Sequence, residues 1–195
     1  MNFRRICVFC GSNLGSNPIY RAAAEQLASL LVQQGIELVY GGGNIGLMGV
    51  LADTVLAGGG KVIGVIPESL MAREVGHRGL TELRVVSSMH ERKALMSDLS
   101  DAFIALPGGF GTFEEFCEVL TWSQLGFHVK PCGVLNVGGF YDPLLALFDR
   151  AVVNRFIRAE HRGLVLADTD IDALLERLAS FKPVKIHKLI DRAIL

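Results

Sequence analysis

Short apolar runs alternate with longer amphipathic stretches along the whole chain, and clusters of glycine stand at the joints between them. Ile6-Cys7-Val8-Phe9-Cys10 is continuous and apolar and closes on Gly11-Ser12-Asn13, the pattern of a strand buried on both faces. Asn17 before Pro18 supplies an N-cap, and Tyr20, Ala23, Ala24, Leu27, Leu30 and Leu31 recur at helical spacing until Gly35. Ile36 to Tyr40 predicts a second strand ending in Gly41-Gly42-Gly43, Leu47 to Ala57 a second helix closed by Gly58-Gly59-Gly60, and Lys61 to Ile66 a third strand stopped by Pro67. Residues 68–79 mix Arg73, Glu74, His77 and Arg78 into no clear period, so a connection with one helical turn is expected there, with the character of a lid. Leu83 to Val86 is a fourth strand, and Ser88 with Glu91 forms a capping box that opens a helix to Ser100. Ala102 to Leu106, Thr112 to Gly126, Cys132 to Leu135 and a helix from Asp142-Pro143 continue the alternation, and Leu164 to Leu166 with Ile171 to Leu178 ends it.

This order runs without a linker, repeat or change of composition. It predicts a single doubly wound, Rossmann-like α/β domain over residues 1–182, a mainly parallel sheet with helices on both faces, followed by an apolar yet cationic tail over 183–195. In such sheets ligands bind outside the carboxyl ends of the strands, where strand order reverses. An order 3-2-1-4-5 would put the site between the ends of the first and fourth strands. The candidates are then Gly11 to Asn13, Gly41 to Gly43, Ser88 to Lys93 and Pro107 to Glu115.

With 195 residues, half of them apolar, the chain can bury about 70% of its unfolded surface, which excludes a disordered protein. Nineteen basic against 20 acidic side chains leave a net charge of −1 with no basic block, so no nucleic acid is expected as a partner. No apolar run approaches the ~20 residues of a bilayer span and no signal-type stretch opens the chain; no membrane partner and a cytoplasmic location are expected. Four cysteines in a domain of this size read as reduced thiols, and Cys7 and Cys10, three apart on a strand, face opposite ways. His77, His90, His128, His161 and His187 are scattered, the lysines show no sign of a Schiff base and no Gly-x-Ser-x-Gly elbow occurs; neither metal nor cofactor is expected.

Pro107-Gly108-Gly109-Phe110-Gly111-Thr112-Phe113-Glu114-Glu115 joins a buried strand to a helix through three glycines, with Thr112 as the expected N-cap. Backbone N–H groups and the helix dipole make such a turn a phosphate site. The plainer alternative is a tight turn with Thr112 and Glu115 as a capping box. Arg92 and Lys93 stand in the first turn of their helix, where the dipole disfavours cations unless an anion lies nearby; pairing with Glu91 is the alternative. Gly41-Gly42-Gly43-Asn44-Ile45-Gly46 satisfies G-x-G-x-x-G with Glu68 past the next strand, as a dinucleotide site would, but it follows the second strand, which favours a close-packing or second phosphate turn.

Pro107-Gly108-Gly109-Phe110-Gly111-Thr112 with Glu115, preceded by Met89-His90-Glu91-Arg92-Lys93, closely resembles the Lonely Guy (LOG) family of cytokinin riboside 5'-monophosphate phosphoribohydrolases. The likeness continues through Cys10-Gly11-Ser12, Tyr40-Gly41-Gly42-Gly43, Gly46-Leu47-Met48-Gly49 and Thr121-Trp122 with Gln124-Leu125-Gly126. The resemblance implies hydrolysis of the N-glycosidic bond of N6-modified adenosine 5'-monophosphates, and of AMP, to free base and ribose 5-phosphate. It implies Arg92 and Glu115 as the catalytic pair, Gly108, Gly109, Gly111 and Thr112 around the phosphate with Gly43 and Ser12 beside them, and Met89, Leu83 and Lys93 near base and ribose. Asn13 departs from it, since a second serine is common there. A homodimer is implied too, with Trp122 and Phe127 as interface candidates. The family was long labelled lysine decarboxylase, a reaction that would need pyridoxal phosphate. A non-catalytic molybdenum-cofactor carrier with a related glycine loop is the rival reading, and a nicotinamide oxidoreductase built on Gly41 a third.

Overall fold

The apolar runs become seven parallel strands among the described residues, which in this computed structural model are 3–71 and 76–183. The strands are β1 (Arg5–Phe9), β2 (Glu37–Tyr40), β3 (Val62–Pro67), β4 (Glu82–Val86), β5 (Ala102–Ala105), β6 (Cys132–Leu135) and β7 (Val165–Asp168). They alternate with helices α1 (Pro18–Gln33), α2 (Gly46–Ala57), α3 (Glu68–Met71), α4 (Met89–Leu99), α5 (Phe110–Leu125), α6 (Asp142–Val153), α7 (Ala159–Arg162) and α8 (Ile171–Ala179). The sheet order is β4-β3-β2-β1-β5-β6-β7. The doubly wound α/β class is therefore as expected, and every pairing is parallel.

One expectation is overturned. The reversal of strand order lies between β1 and β5, where Cys7 pairs with Val39 on one side and Phe103 on the other, while Leu83 to Val86 sits at the far edge against β3. The cause is polarity. Ala102 to Ala105 is buried throughout, whereas Glu82-Leu83-Arg84-Val85 is exposed or half-buried and suits an edge strand. The chain returns from that edge to the centre through α4, which packs under β3, β2 and β1.

Successive side chains of β1 serve two cores. Ile6, Val8 and Cys10 join the apolar faces of α1, α2 and α8, while Cys7 and Phe9 join those of α4 and α5 and the flank of α6. Burial of such Leu, Ile, Val and Phe side chains at roughly 1.5–3 kcal/mol each is what holds both helix layers to the sheet. Asn17 caps α1 through Ile19 N–H at 3.1 Å, and Ser88 caps α4 through Glu91 N–H at 3.1 Å. A second correction concerns α5: it starts at Phe110 with Gly109 as N-cap, so Thr112 is inside the first turn and no Thr112–Glu115 capping box forms. Of the 68–79 connection, the single helical turn is α3; residues 72–75 and the tail from 184 onward lie outside the described residues.

Candidate active site

The carboxyl ends of β1, β2 and β5 release three glycine turns that interlock through the backbone. Gly11 N–H donates to the Pro107 carbonyl at 3.1 Å, and Leu47 N–H, in the first turn of α2, donates to the Gly11 carbonyl at 3.0 Å. Such contacts need bare α-carbons. A Cβ on Gly46, whose φ is +61°, would stand 2.2 Å from the Ser12 carbonyl carbon, and one on Gly108 would stand 2.1 Å from Thr112 Oγ1 and 2.9 Å from Gly11 N. Thr112 is thus buried beneath the loop, filling the space that Gly108 leaves. Phe113 N–H donates to the Gly109 carbonyl at 3.1 Å, so the N–H groups of Phe110, Gly111 and Thr112 precede the first intrahelical donor, at the positive end of a 16-residue helix.

A cleft opens beside this turn, bounded by Gly11 to Gly15, Pro107 to Gly109, Leu47, Tyr20 and Phe140. It unites Ser12, Gly108 and Gly109, as the sequence led one to expect. Tyr20 and Phe140, edge to face with ring centroids 5.9 Å apart, form a wall that no local pattern announced, because Phe140 follows β6, 120 residues further along the chain. Gly111 stands at the exposed rim of the turn.

Across the first turn of α5 lies the charged part of the site. Arg92, 8% exposed, donates from Nε to the Val65 carbonyl at 3.0 Å and from Nη1 to Glu115 Oε1. Its other terminal nitrogen rests on Gly41, where a Cβ would be 2.1 Å away. Neither the Val65 carbonyl nor the Gly41 slot was signalled by any local pattern. Burial pushes the Glu115 carboxyl up, and the Arg92 charge and hydrogen bond recover only part of that shift. The dipole penalty on Arg92 is thus offset by a carboxylate from the neighbouring helix, not by Glu91, which turns back to Ser87 N–H and hydroxyl at 2.8 and 2.6 Å.

Lys93, expected near base or ribose, has its ammonium paired with Glu114 and, at 3.0 Å, with Glu118 on α5. Met89 is exposed at the start of α4, Leu83 lies against Gly42 and Gly64, and Gly43 is bridged to Gly76. Leu83 and Gly43 lie on the β2 and β3 side, and none of the three lines the cleft at Ser12 and Gly108. The Gly41 to Gly46 run, as a close-packing turn, is occupied by Arg92 at one end and by the Ser12 backbone at the other.

A decarboxylase label would require pyridoxal phosphate, and the lysine nearest the glycine turns does not fit it. Burial pulls Lys93 down, but its two carboxylate partners outweigh burial and hold the ammonium above its ordinary value, the reverse of what Schiff-base formation needs. Among the described residues no group of three or more His, Cys, Asp and Glu side chains is arranged to hold a metal ion. No helix among them is long and apolar enough to cross a membrane.

Residues 48–178 match the family model described as "Possible lysine decarboxylase". A rice (Oryza sativa subsp. japonica) protein named probable cytokinin riboside 5'-monophosphate phosphoribohydrolase is 55% identical over 179 residues, covering 92% of this chain and 80% of that one. An Arabidopsis thaliana cytokinin riboside 5'-monophosphate phosphoribohydrolase is 52% identical over 181 residues, covering 93% and 85%. Among solved structures, the molybdenum cofactor carrier protein of Chlamydomonas reinhardtii superposes with a TM-score of 0.69 at 20% identity, covering 91% of this chain and 98% of that one. The molybdenum cofactor binding protein of Rippkaea orientalis gives 0.69 at 23%, covering 92% and 98%. Likeness at that level of identity extends to the fold alone.

Proposed function

Since the chain belongs to the family that these phosphoribohydrolases share, described as possible lysine decarboxylases, we propose that it hydrolyses N6-modified adenosine 5'-monophosphates, and AMP, to free base and ribose 5-phosphate. The observation that carries this reading is the buried Arg92–Glu115 pair set against a glycine turn that opens a helix. A 5'-phosphate at the N–H groups of Phe110, Gly111 and Thr112, flanked by Gly108, Gly109 and Ser12, brings the ribose alongside Glu115. Gly43 and Leu83 then border the base side with Met89. As the C1'–N9 bond breaks, positive charge develops at C1' and negative charge on the base. Glu115 stabilises the first, and it receives a proton from the water whose oxygen bonds to C1'. Arg92 stabilises the departing base, which leaves with a proton from solvent. A carrier needs the phosphate turn but no carboxylate beside the sugar, so the same pair favours the enzyme. We further propose a cytoplasmic homodimer that binds no nucleic acid, a reading supported by the net charge of −1 and by exposed Leu125, Phe127 and Val129 at and just past the end of α5.

Chromatography of base and ribose 5-phosphate from isopentenyladenosine monophosphate, AMP and the matching unphosphorylated ribosides tests the reading. Release from the monophosphates only is expected, with Glu115→Gln and Arg92→Ala each folded and slowed by at least ~100-fold. Near-normal turnover in either variant overturns the mechanism. No release from any substrate, with AMP still bound, points to a carrier.

A further inference from the structure

Between β3 and β4 the chain crosses back over the Gly41–Gly43 turn, and one histidine ties it there. His77 N–H donates to the Gly42 carbonyl at 3.1 Å, and Gly76 bridges antiparallel to Gly43. The His77 ring, in a residue 8% exposed, is held at both nitrogens. Gly79 N–H donates to Nδ1 at 3.1 Å, and Nε2 lies 2.8 Å from Asp53 Oδ1 on α2. An N–H can only donate, so Nδ1 carries no proton and Nε2–H is the donor to Asp53. Three elements that are separate in the chain, α2, the 76–79 segment and the glycine turn, are joined through this one side chain.

What the turn supports is Arg92. Its guanidinium occupies a slot with the Val65 carbonyl on one side, Glu115 ahead and the bare Gly41 backbone behind. That backbone wall has no side chain of its own to fix it. Gly42, at φ +77°, is a residue with wide conformational freedom, and its carbonyl is the atom that receives His77 N–H. Displacing the wall by a fraction of an ångström moves the guanidinium relative to any base held before it, while the phosphate turn on α5 stays in place.

We propose that His77, oriented by Asp53, is a positioning residue for Arg92: it seats the 76–79 segment on the Gly41–Gly43 turn and so sets where the guanidinium meets the departing base. The assignment rests on the hydrolase reading above. In the full-length protein, His77→Ala is expected to lower kcat by about tenfold while KM for the monophosphate changes less than about twofold, since misplacement of a catalytic group costs rate and leaves phosphate binding alone. Asp53→Ala, at a side chain 67% exposed and therefore tolerated by the fold, is expected to lose about threefold in kcat. Asp53→Asn, whose amide oxygen still accepts Nε2–H, restores most of that loss. Adding His77→Ala to Arg92→Ala is expected to cost nothing further, because coupled residues are non-additive. Multiplicative losses in the double variant, a raised KM with kcat intact, or a lowered Tm with unchanged kcat each overturn the assignment. Should His77→Ala fail to fold, Asp53→Ala alone and combined with Arg92→Ala makes the same comparison. No base release by the unmodified protein overturns the hydrolase reading, and this assignment with it; release with additive losses overturns this assignment alone.

Discussion

Gly41 and Gly46 belong to one glycine run and meet opposite neighbours. A methyl group on Gly41 would collide only with the far end of the flexible Arg92 side chain, at 2.1 Å, whereas one on Gly46 would meet the Ser12 backbone at 2.2 Å in a left-handed conformation. Gly41→Ala is therefore expected to keep its Tm within a few degrees and lose turnover by about the ~100-fold of Arg92→Ala, read by thermal unfolding beside base release. Gly46→Ala instead loses stability, since backbone cannot step aside as a side chain can. Glu115 has a pH consequence. Burial raises its carboxyl, with Glu114 adding to the shift and Arg92 and Lys93 opposing it. A carboxylate required in the reaction is lost as pH falls through that raised value, so the acid limb of kcat/KM lies above the ordinary glutamate range. Glu114→Gln removes a neighbouring negative charge while Lys93 stays paired with Glu118, so the limb moves to lower pH; a rate profile that stays or moves upward contradicts this. Arg92 stood out in the sequence because a cation in the first turn of a helix is disfavoured, and Glu115 because it follows the glycine turn that opens a helix; the catalytic roles proposed for them came from the family resemblance. Their direct pairing was not legible there, being a contact across 23 residues.

Helix α4 carries Arg92 in its first turn, and that turn depends on its cap. Ser88 Oγ accepts Glu91 N–H at 3.1 Å, so Ser88→Ala is expected to cost about 1 kcal/mol, a Tm decrease of about 2–4 °C in a domain of this size. The helix existed on paper because Ser88 and Glu91 stand three apart before an amphipathic stretch, and the cap formed as the pattern predicts. Helix α5 starts two residues before the expected Thr112, for a related reason. Threonine is a good N-cap by type, but Gly109 already lies in extended backbone and Gly108 leaves a space that only an inward Thr112 fills. Strand β4 shows the same limit on a larger element. Its alternation of Glu82 and Arg84 with apolar neighbours marks an edge strand, yet chain order alone made it look like the neighbour of β1.

For the molecule as a whole, exposed apolar side chains occur at several places, Phe110, Val153 and Phe156 among them, and one group lies at the C-terminal end of α5. Leu125, Phe127 and Val129 are 46%, 75% and 62% exposed, which is unusual so close together in a chain whose two cores are otherwise closed. Sedimentation is expected to give twice the monomer mass, and Phe127→Glu to shift it towards the monomer; a monomeric unmodified protein contradicts the dimer. The α/β class and the glycine turn that opens α5 were determined by the sequence itself, as was the place proposed for the site at the carboxyl ends of the strands. Each depends on local order: apolar runs of strand length, glycines at their ends, and a helix start directly after Pro107-Gly108-Gly109. The neighbour of β1, the Arg92 slot between Val65 and Gly41, the wall of Tyr20 and Phe140, and the His77–Asp53 tie were decided only in three dimensions. They are contacts between segments far apart in the chain, set by which strand is buried on both faces and by where a bare α-carbon leaves room, and no local period records either.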